Sequence, residues 1–218
     1  MLLHRLVAAC LALSLAAACA SPADEEEDVA TTEGELQSAA LGSSEMTRYP
    51  RPAGLPPAWD QPDSTGRFDE RGKCGPTAAA NLLRLYGTET SPEQADREGV
   101  HWWIGTRGRS IRNWLEDKHP ELGCSLEHPS DGPAFLRENL ANGRPVLVWF
   151  NMQGGLSSHW VTAVGVVGSG KDERVVVMSW GRYYTIAMDK LDAAWRNVYW
   201  IRRPSIVCDA KTTLMASR

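Results

Sequence analysis

Residues 73–87 read KCGPTAAANLLRLYG, and that order sets a cysteine at the mouth of a helix. Pro76 suits a first helical turn, where its missing N–H is no loss, and the run from Ala78 to Tyr86 holds strong helix formers until Gly87 ends it. Cys74 therefore stands at or beside the N-cap. Unpaired backbone N–H groups and the positive end of the helix dipole favour a thiolate there, which predicts a thiol pKa below that of free cysteine. Cysteine is also a common small core residue, so the placement alone leaves nucleophile and packing residue both open.

Outward from this helix, the N-terminal residues 1–19 read as an export signal, with Arg5 ahead of the apolar run Leu6 to Leu15 and Ala16, Ala17 and Ala18 before Cys19. The run is short for a bilayer span. Small residues followed by cysteine predict a bacterial lipoprotein cleavage site with Cys19 acylated. Ala16 stands where leucine is usual, which keeps ordinary cleavage after Ala18 or Ala20 as the alternative. Either way the chain is expected outside the bacterial cytoplasm, lipid-anchored or secreted, and its contact with membrane is through the anchor alone. From Ser21 to Thr47 there are eight acidic residues, no Lys or Arg and no aromatic, so 20–47 is expected to be a disordered tether and 48–218 the folded domain. Without residues 1–47 the chain carries 22 basic and 19 acidic side chains, a balance that gives no case for nucleic acid. That length suits one core, and nine tryptophans fill an interior or line a groove.

Of five cysteines, Cys10 and Cys19 belong to the leader, which leaves Cys74, Cys124 and Cys208. In an oxidising exterior the simplest accounting pairs Cys124 with Cys208 and keeps Cys74 free; two unpaired core thiols are the other reading. No CxxC pair or His/Cys cluster has zinc spacing, so neither a metal nor any other cofactor is assigned.

Ser91-Pro92-Glu93-Gln94 has the form of a capped helix start, with Gln94 reaching back to Ser91. Ser110 to Lys118 and Pro133 to Asn142 carry apolar residues at helical spacing. Composition changes at Arg144. Pro145 to Phe150, Trp160 to Val167 and Val175 to Trp180 read as strands, the last two joined as a hairpin through Gly168 to Asp172. Tyr183 to Ile186 adds a strand, Asp189 to Trp195 a short helix and Val198 to Ile201 a final strand. Helices first and an antiparallel sheet second is an α+β pattern.

A thiolate nucleophile needs a base. Outside the leader the histidines are His101, His119, His128 and His159, and only His159 opens an apolar strand, HWVTAVGV, where rigid backbone would hold its imidazole. In order along the chain, KCGPTAAANLLRLYG, GRPVLVWF, GLSSHWVTAVGV and VVVMSWGRYYTI with LDAAW beyond resemble a papain-like cysteine peptidase, more narrowly the bacterial peptidases related to the bacteriocin-leader (double-glycine) peptidases. The resemblance spans roughly Leu55 to Ile201. It implies a papain-like fold, with the nucleophile helix of an N-terminal helical half packed on a C-terminal antiparallel sheet, and a peptide or protein substrate. It also implies Cys74 as nucleophile and His159 as general base and acid, a pair able to rest as thiolate and imidazolium.

At the third position of the family the match departs: alignment on Ser179-Trp180-Gly181 puts Met178 where an Asn or Asp orients the histidine. A thioether is a poor acceptor for that task. Three explanations follow: lost turnover with a retained binding groove, Ser179 in the role after a one-residue shift that exchanges strand faces, or another acceptor such as Asn151 or a backbone carbonyl. The family also places an oxyanion-hole glutamine shortly before the cysteine; Gln61 in LPPAWDQ is the candidate, further upstream than usual, with Phe68 at the nearer position. Trp160 and Trp180 flank the proposed site and would shield an ion pair from water. The resulting expectation is an exported thiol hydrolase of peptide or amide bonds acting through a thioester. The alternatives are an inactive binder of peptide or cell-wall material, and an acyl transferase in which an amine replaces water.

Overall fold

A computed structural model describes residues 39–61, 73–100, 106–153 and 158–210. The export signal, Cys19 and His101-Trp102-Trp103 lie outside the described residues. The strands β3 (Val146–Asn151), β4 (Ser158–Val167), β5 (Arg174–Ser179) and β6 (Arg182–Ala187) form consecutive antiparallel hairpins. β3 is buried at every position but its last, although half-buried antiparallel strands normally alternate. Helices on both faces account for this. On one face Val148, Phe150, Val161 and Ala163 pack with Leu136 and Leu140 of α4 (Gly132–Ala141) and Leu191 and Trp195 of α5 (Met188–Trp195). On the other, Leu147, Trp149 and Trp160 pack with Ala78, Leu82 and Leu83 of α1 (Cys74–Leu85) and with Ile111 and Leu115 of α3 (Gly108–Lys118).

The sheet has seven strands in the order β1-β6-β5-β4-β3-β9-β2, with β1 (Thr47–Tyr49), β2 (Cys124–Glu127) and β9 (Ser205–Cys208) at its flanks. Two of these flanking strands come from the mainly helical N-terminal half. Cys124 and Cys208 face each other across β2 and β9 and are joined by a disulfide.

Three differences from the sequence reading have clear physical causes. The segment expected to be tether is folded from Ala39 onward: Leu41 and Met46 are buried in the core, Leu41 N–H donates to the Asn151 carbonyl at 2.9 Å, and β1 begins at Thr47, inside the acidic stretch. Two apolar residues and an available sheet edge outweigh the polar composition around them. Second, the expected strand Val198 to Ile201 is a hairpin, β7 (Asn197–Val198) and β8 (Ile201–Arg202), turning at Tyr199-Trp200. Neither is a usual turn residue. Third, Ser91 Oγ accepts from Gln94 N–H at 3.2 Å, but the Gln94 side chain donates to Glu98 at 2.9 Å rather than back to Ser91, and α2 (Pro92–Ala95) gives way to a π-helical turn ending past Gly99.

Candidate active site

The first turn of α1 meets the start of β4. Cys74 is the first residue of the helix and is buried, with 9% of its surface exposed. Gly75 is required beside it: Thr106 fills the space where a Cβ would stand, and the Thr106 carbonyl in turn accepts from Trp160 Nε1–H at 3.0 Å. The Thr162 hydroxyl donates to the Ala78 carbonyl at 2.9 Å, tying α1 to β4. These contacts seat the helix mouth against the strand that carries His159.

Cys74, His159, Ser179, Met178, Trp160, Trp180, Gln61, Thr77, Ala78 and Asn81 line one small cleft of about 10 Å³, room for about one water. His159 Nε2 and Ser179 Oγ are 2.7 Å apart. Ser179 therefore faces the imidazole, and Met178, next along β5, pairs with Thr162 on the α1 side and is fully buried. The alignment that put Met178 in the orienting place is corrected by strand alternation: one residue along a strand changes face. Asn151 does not take that role either, because its amide donates to the Asn197 carbonyl at 2.8 Å. With Nε2 held by Ser179, Nδ1 is the nitrogen left to exchange a proton with Cys74. A serine hydroxyl accepting from Nε2–H leaves the Nδ1 lone pair free, the tautomer a base needs.

The electrostatics differ from the expected ion pair. Burial pushes the Cys74 thiol up from its ordinary value, offset in part by backbone N–H groups of Trp160, Gly75 and Cys74 itself. Burial holds the His159 imidazole down at about 4. Both shifts oppose charge, so the resting pair is a neutral thiol and a neutral imidazole. Among the described residues no hydrogen bond joins the two, a separation compatible with catalytic groups that tighten only around substrate. The helix-mouth donors are present, but desolvation outweighs them. Trp180 stacks on the His159 ring at 4.4 Å and 14°, and Phe150 meets it edge-on at 6.0 Å, which supplies the apolar surroundings.

Gln61 reaches the cleft by a defined route. The Trp59 N–H donates to Asn81 Oδ1 at 2.7 Å, the Trp59 carbonyl accepts from Gly181 N–H at 3.1 Å, and the Arg84 guanidinium lies 4.2 Å over the Trp59 ring. Asn81 was not singled out in the sequence. It is fully buried, and among the described residues its Nδ2 has no hydrogen-bond partner. An asparagine between the alanines and leucines of α1, two turns beyond Cys74, was the available signal. His119 and His128 lie elsewhere, beside Glu121 and the Arg202 carbonyl respectively. A larger cavity, about 370 Å³ between Tyr49, Leu55, Arg137, Leu140, Val164 and Val176, is lined by neither a cysteine nor a histidine. Chemistry places the candidate site in the smaller cleft.

A helix-borne cysteine set against a strand-borne histidine, with helices packed on a large antiparallel sheet, is the α+β architecture of the papain-like fold. A solved structure from Bacillus anthracis, described as a candidate C39-like peptidase, matches with a TM-score of 0.53 over 77% of this chain and 99% of its own, at 11% sequence identity. A likeness at that identity shows a shared fold. No protein-family model matches the sequence, and no curated protein matches it.

Proposed function

We propose that this chain is an exported thiol hydrolase of peptide or amide bonds, with Cys74 as nucleophile and His159 as base and acid. The observation that carries the reading is the convergence of Cys74, His159 and Ser179 in one cleft, with the imidazole held through Nε2. Because the resting pair is neutral, the thiol proton passes to His159 Nδ1 as sulfur attacks the substrate carbonyl carbon. The carbonyl oxygen gains negative charge opposite the Cys74 N–H and the Gln61 side chain, which would serve as oxyanion donors. Collapse breaks the C–N bond, the imidazolium proton goes to the departing amine, and a Cys74 thioester remains. Water, deprotonated at Nδ1, then releases the acid and restores the thiol.

Ser179 orients the ring but brings no charge to balance the imidazolium, so turnover is expected to be slower than with a carboxylate in its place. The Cys124–Cys208 disulfide suits an oxidising compartment, in keeping with the N-terminal export reading and acylation at Cys19. Palmitate labelling lost in Cys19→Ser is the expected outcome, and label retained in that variant removes the anchor from the proposal.

A second reading, binding without turnover, draws on one observation: the cleft admits about one water as it stands. A peptide pool incubated with the protein and searched by mass spectrometry for new termini separates the two. The wild type is expected to produce cleavage that Cys74→Ala and His159→Ala lose. Equal product sets from wild type and Cys74→Ala overturn hydrolysis and leave the binding reading.

A further inference from the structure

Tyr199 and Trp200 are the large apolar residues most exposed to solvent among the described residues, at 38% and 67%. They occupy the two central positions of the β7–β8 turn with φ of 49° and 69°. Both values lie in the left-handed region, which two-residue hairpins normally fill with Asn, Asp or Gly. Bulky aromatics there are strained and uncommon. Tyr199 leans on Trp149, whereas the Trp200 ring is mostly in solvent and adds little to the folded core. Strain kept at an exposed position points outward, to something the side chains meet.

The tip is continuous with the candidate site. Tyr199 lies 5.7 Å from Trp149, Trp149 stacks on Trp160 at 5.4 Å and 5°, and Trp160 borders the Cys74 cleft and offers its backbone N–H to the thiol. The hairpin hangs from the same end of the sheet: Asn151, last in β3, donates to the Asn197 carbonyl, and its strand neighbour Phe150 pairs with His159. Ring contacts through the buried Trp149 and Trp160 therefore seat the projecting tip at the end of the molecule that holds the Cys74 cleft.

We propose that Trp200 and the exposed part of Tyr199, backed by the buried Trp149, form a substrate subsite that takes an apolar or aromatic side chain of the peptide, at a distance from the scissile bond set by where the β7–β8 hairpin hangs. The inference rests on the peptide-hydrolase reading of the cleft and names which part of a peptide gives specificity. Rigid aromatic side chains bury large area with few rotatable bonds to freeze, which suits recognition of one side chain at a mobile chain end.

The test walks a single phenylalanine through dye-labelled, end-blocked octapeptides of glycine and serine and measures anisotropy with the full chain carrying Cys74→Ala, so that no turnover is needed. Phenylalanine at one or two adjacent positions is expected to tighten binding about tenfold over the glycine-serine peptide. Trp200→Gly is expected to remove that increment while raising Tm by about 2–4 °C, because glycine relieves the left-handed strain. Trp200→Tyr should retain most of the increment. A flat walk, an increment that survives Trp200→Gly, or selective loss of chito-oligosaccharide binding in that variant overturns the subsite. Hydrolysis of the same peptides by the wild type is scored separately, so a phenylalanine preference without cleavage rejects the hydrolase and keeps the subsite.

Discussion

Two hairpin turns in this molecule share positive φ at both central residues and differ in their surroundings. At Trp180-Gly181, between β5 and β6, both residues have positive φ, 42° and 68°, and at Tyr199-Trp200, between β7 and β8, the values are 49° and 69°. The first turn is tied down: Trp180 stacks on His159, and Gly181 N–H donates to the Trp59 carbonyl. A glycine at its second position removes half the strain. The second turn has no glycine, and Trp200 projects into solvent. Strain at the first turn is compensated by packing that holds the His159 imidazole; at the second, no such packing surrounds Trp200. Positive φ thus marks a positioning device in one place and a contact surface in the other.

The largest expected effect comes from protonating the imidazole that the first turn covers. His159 has a folded pKa of about 4, below its unfolded value of about 6.5, so between those values the unfolded chain binds the extra proton. Stability attributable to this group therefore falls as pH drops from about 6.5 towards 4, by about 1.4 kcal/mol per pH unit and roughly 3 kcal/mol in all. Urea unfolding at pH 7 and pH 4.5 checks this against His159→Gln, which should show a smaller loss. An equal loss in both proteins places the acid sensitivity elsewhere. No histidine belongs to the second turn, so Trp200→Gly should leave the pH dependence unchanged.

Next in size is Ser179→Ala, which leaves Nε2 without its partner while the Trp180 stack remains. We expect kcat for peptide cleavage to fall about 100-fold, about 2.7 kcal/mol, with KM little changed. Ser179→Asn should recover or exceed wild-type turnover, since an amide oxygen accepts from Nε2–H. If Ser179→Ala is as active as the wild type, stacking alone orients the ring and the first turn matters more than the hydroxyl.

How much of this the sequence disclosed follows from the range of each interaction. Helix α1 was legible because Pro76, the alanine-leucine run and Gly87 act within a few residues of one another. β3 and β5 were legible as short apolar runs, and the α+β order followed from them. β1, β2 and β9 were not, because each is three or four residues long and is defined by its partner across the sheet. The helix-mouth cysteine and the strand-opening histidine could be read as candidates from local context. Their neutral state could not, because it depends on burial by Trp180 and Phe150, which arrive from other strands. Choosing between Met178 and Ser179 needed the register of β5 against β4, since adjacent residues of a strand serve opposite faces.

Gly181→Ala sharpens the contrast between the turns from the stability side. An added Cβ would lie 3.0 Å from the Asp60 carboxyl carbon and sit at φ of 68°. We expect a loss of about 2 kcal/mol from the combined crowding and left-handed backbone. Because Asp60 adjoins Gln61, cleavage should weaken too, and the paired measurement is Tm alongside kcat. A stable variant with lowered kcat would assign Gly181 to placing Gln61 rather than to folding.

The smallest effect should come with the opposite sign. Tyr199→Asn puts a residue that tolerates the left-handed region at the first position of the exposed turn. It also removes the ring that meets Trp149 at 5.7 Å, so relief of strain works against a lost aromatic contact. An aromatic pair is worth about 0.5–1.5 kcal/mol beyond its buried area, and left-handed backbone costs a non-glycine residue about 1–2 kcal/mol. The difference predicts a gain of a few tenths of a kcal/mol, readable as a small rise in the urea midpoint at constant m. If the midpoint falls instead, the Tyr199–Trp149 contact outweighs the strain, and this turn, like that at Trp180-Gly181, is held by its packing.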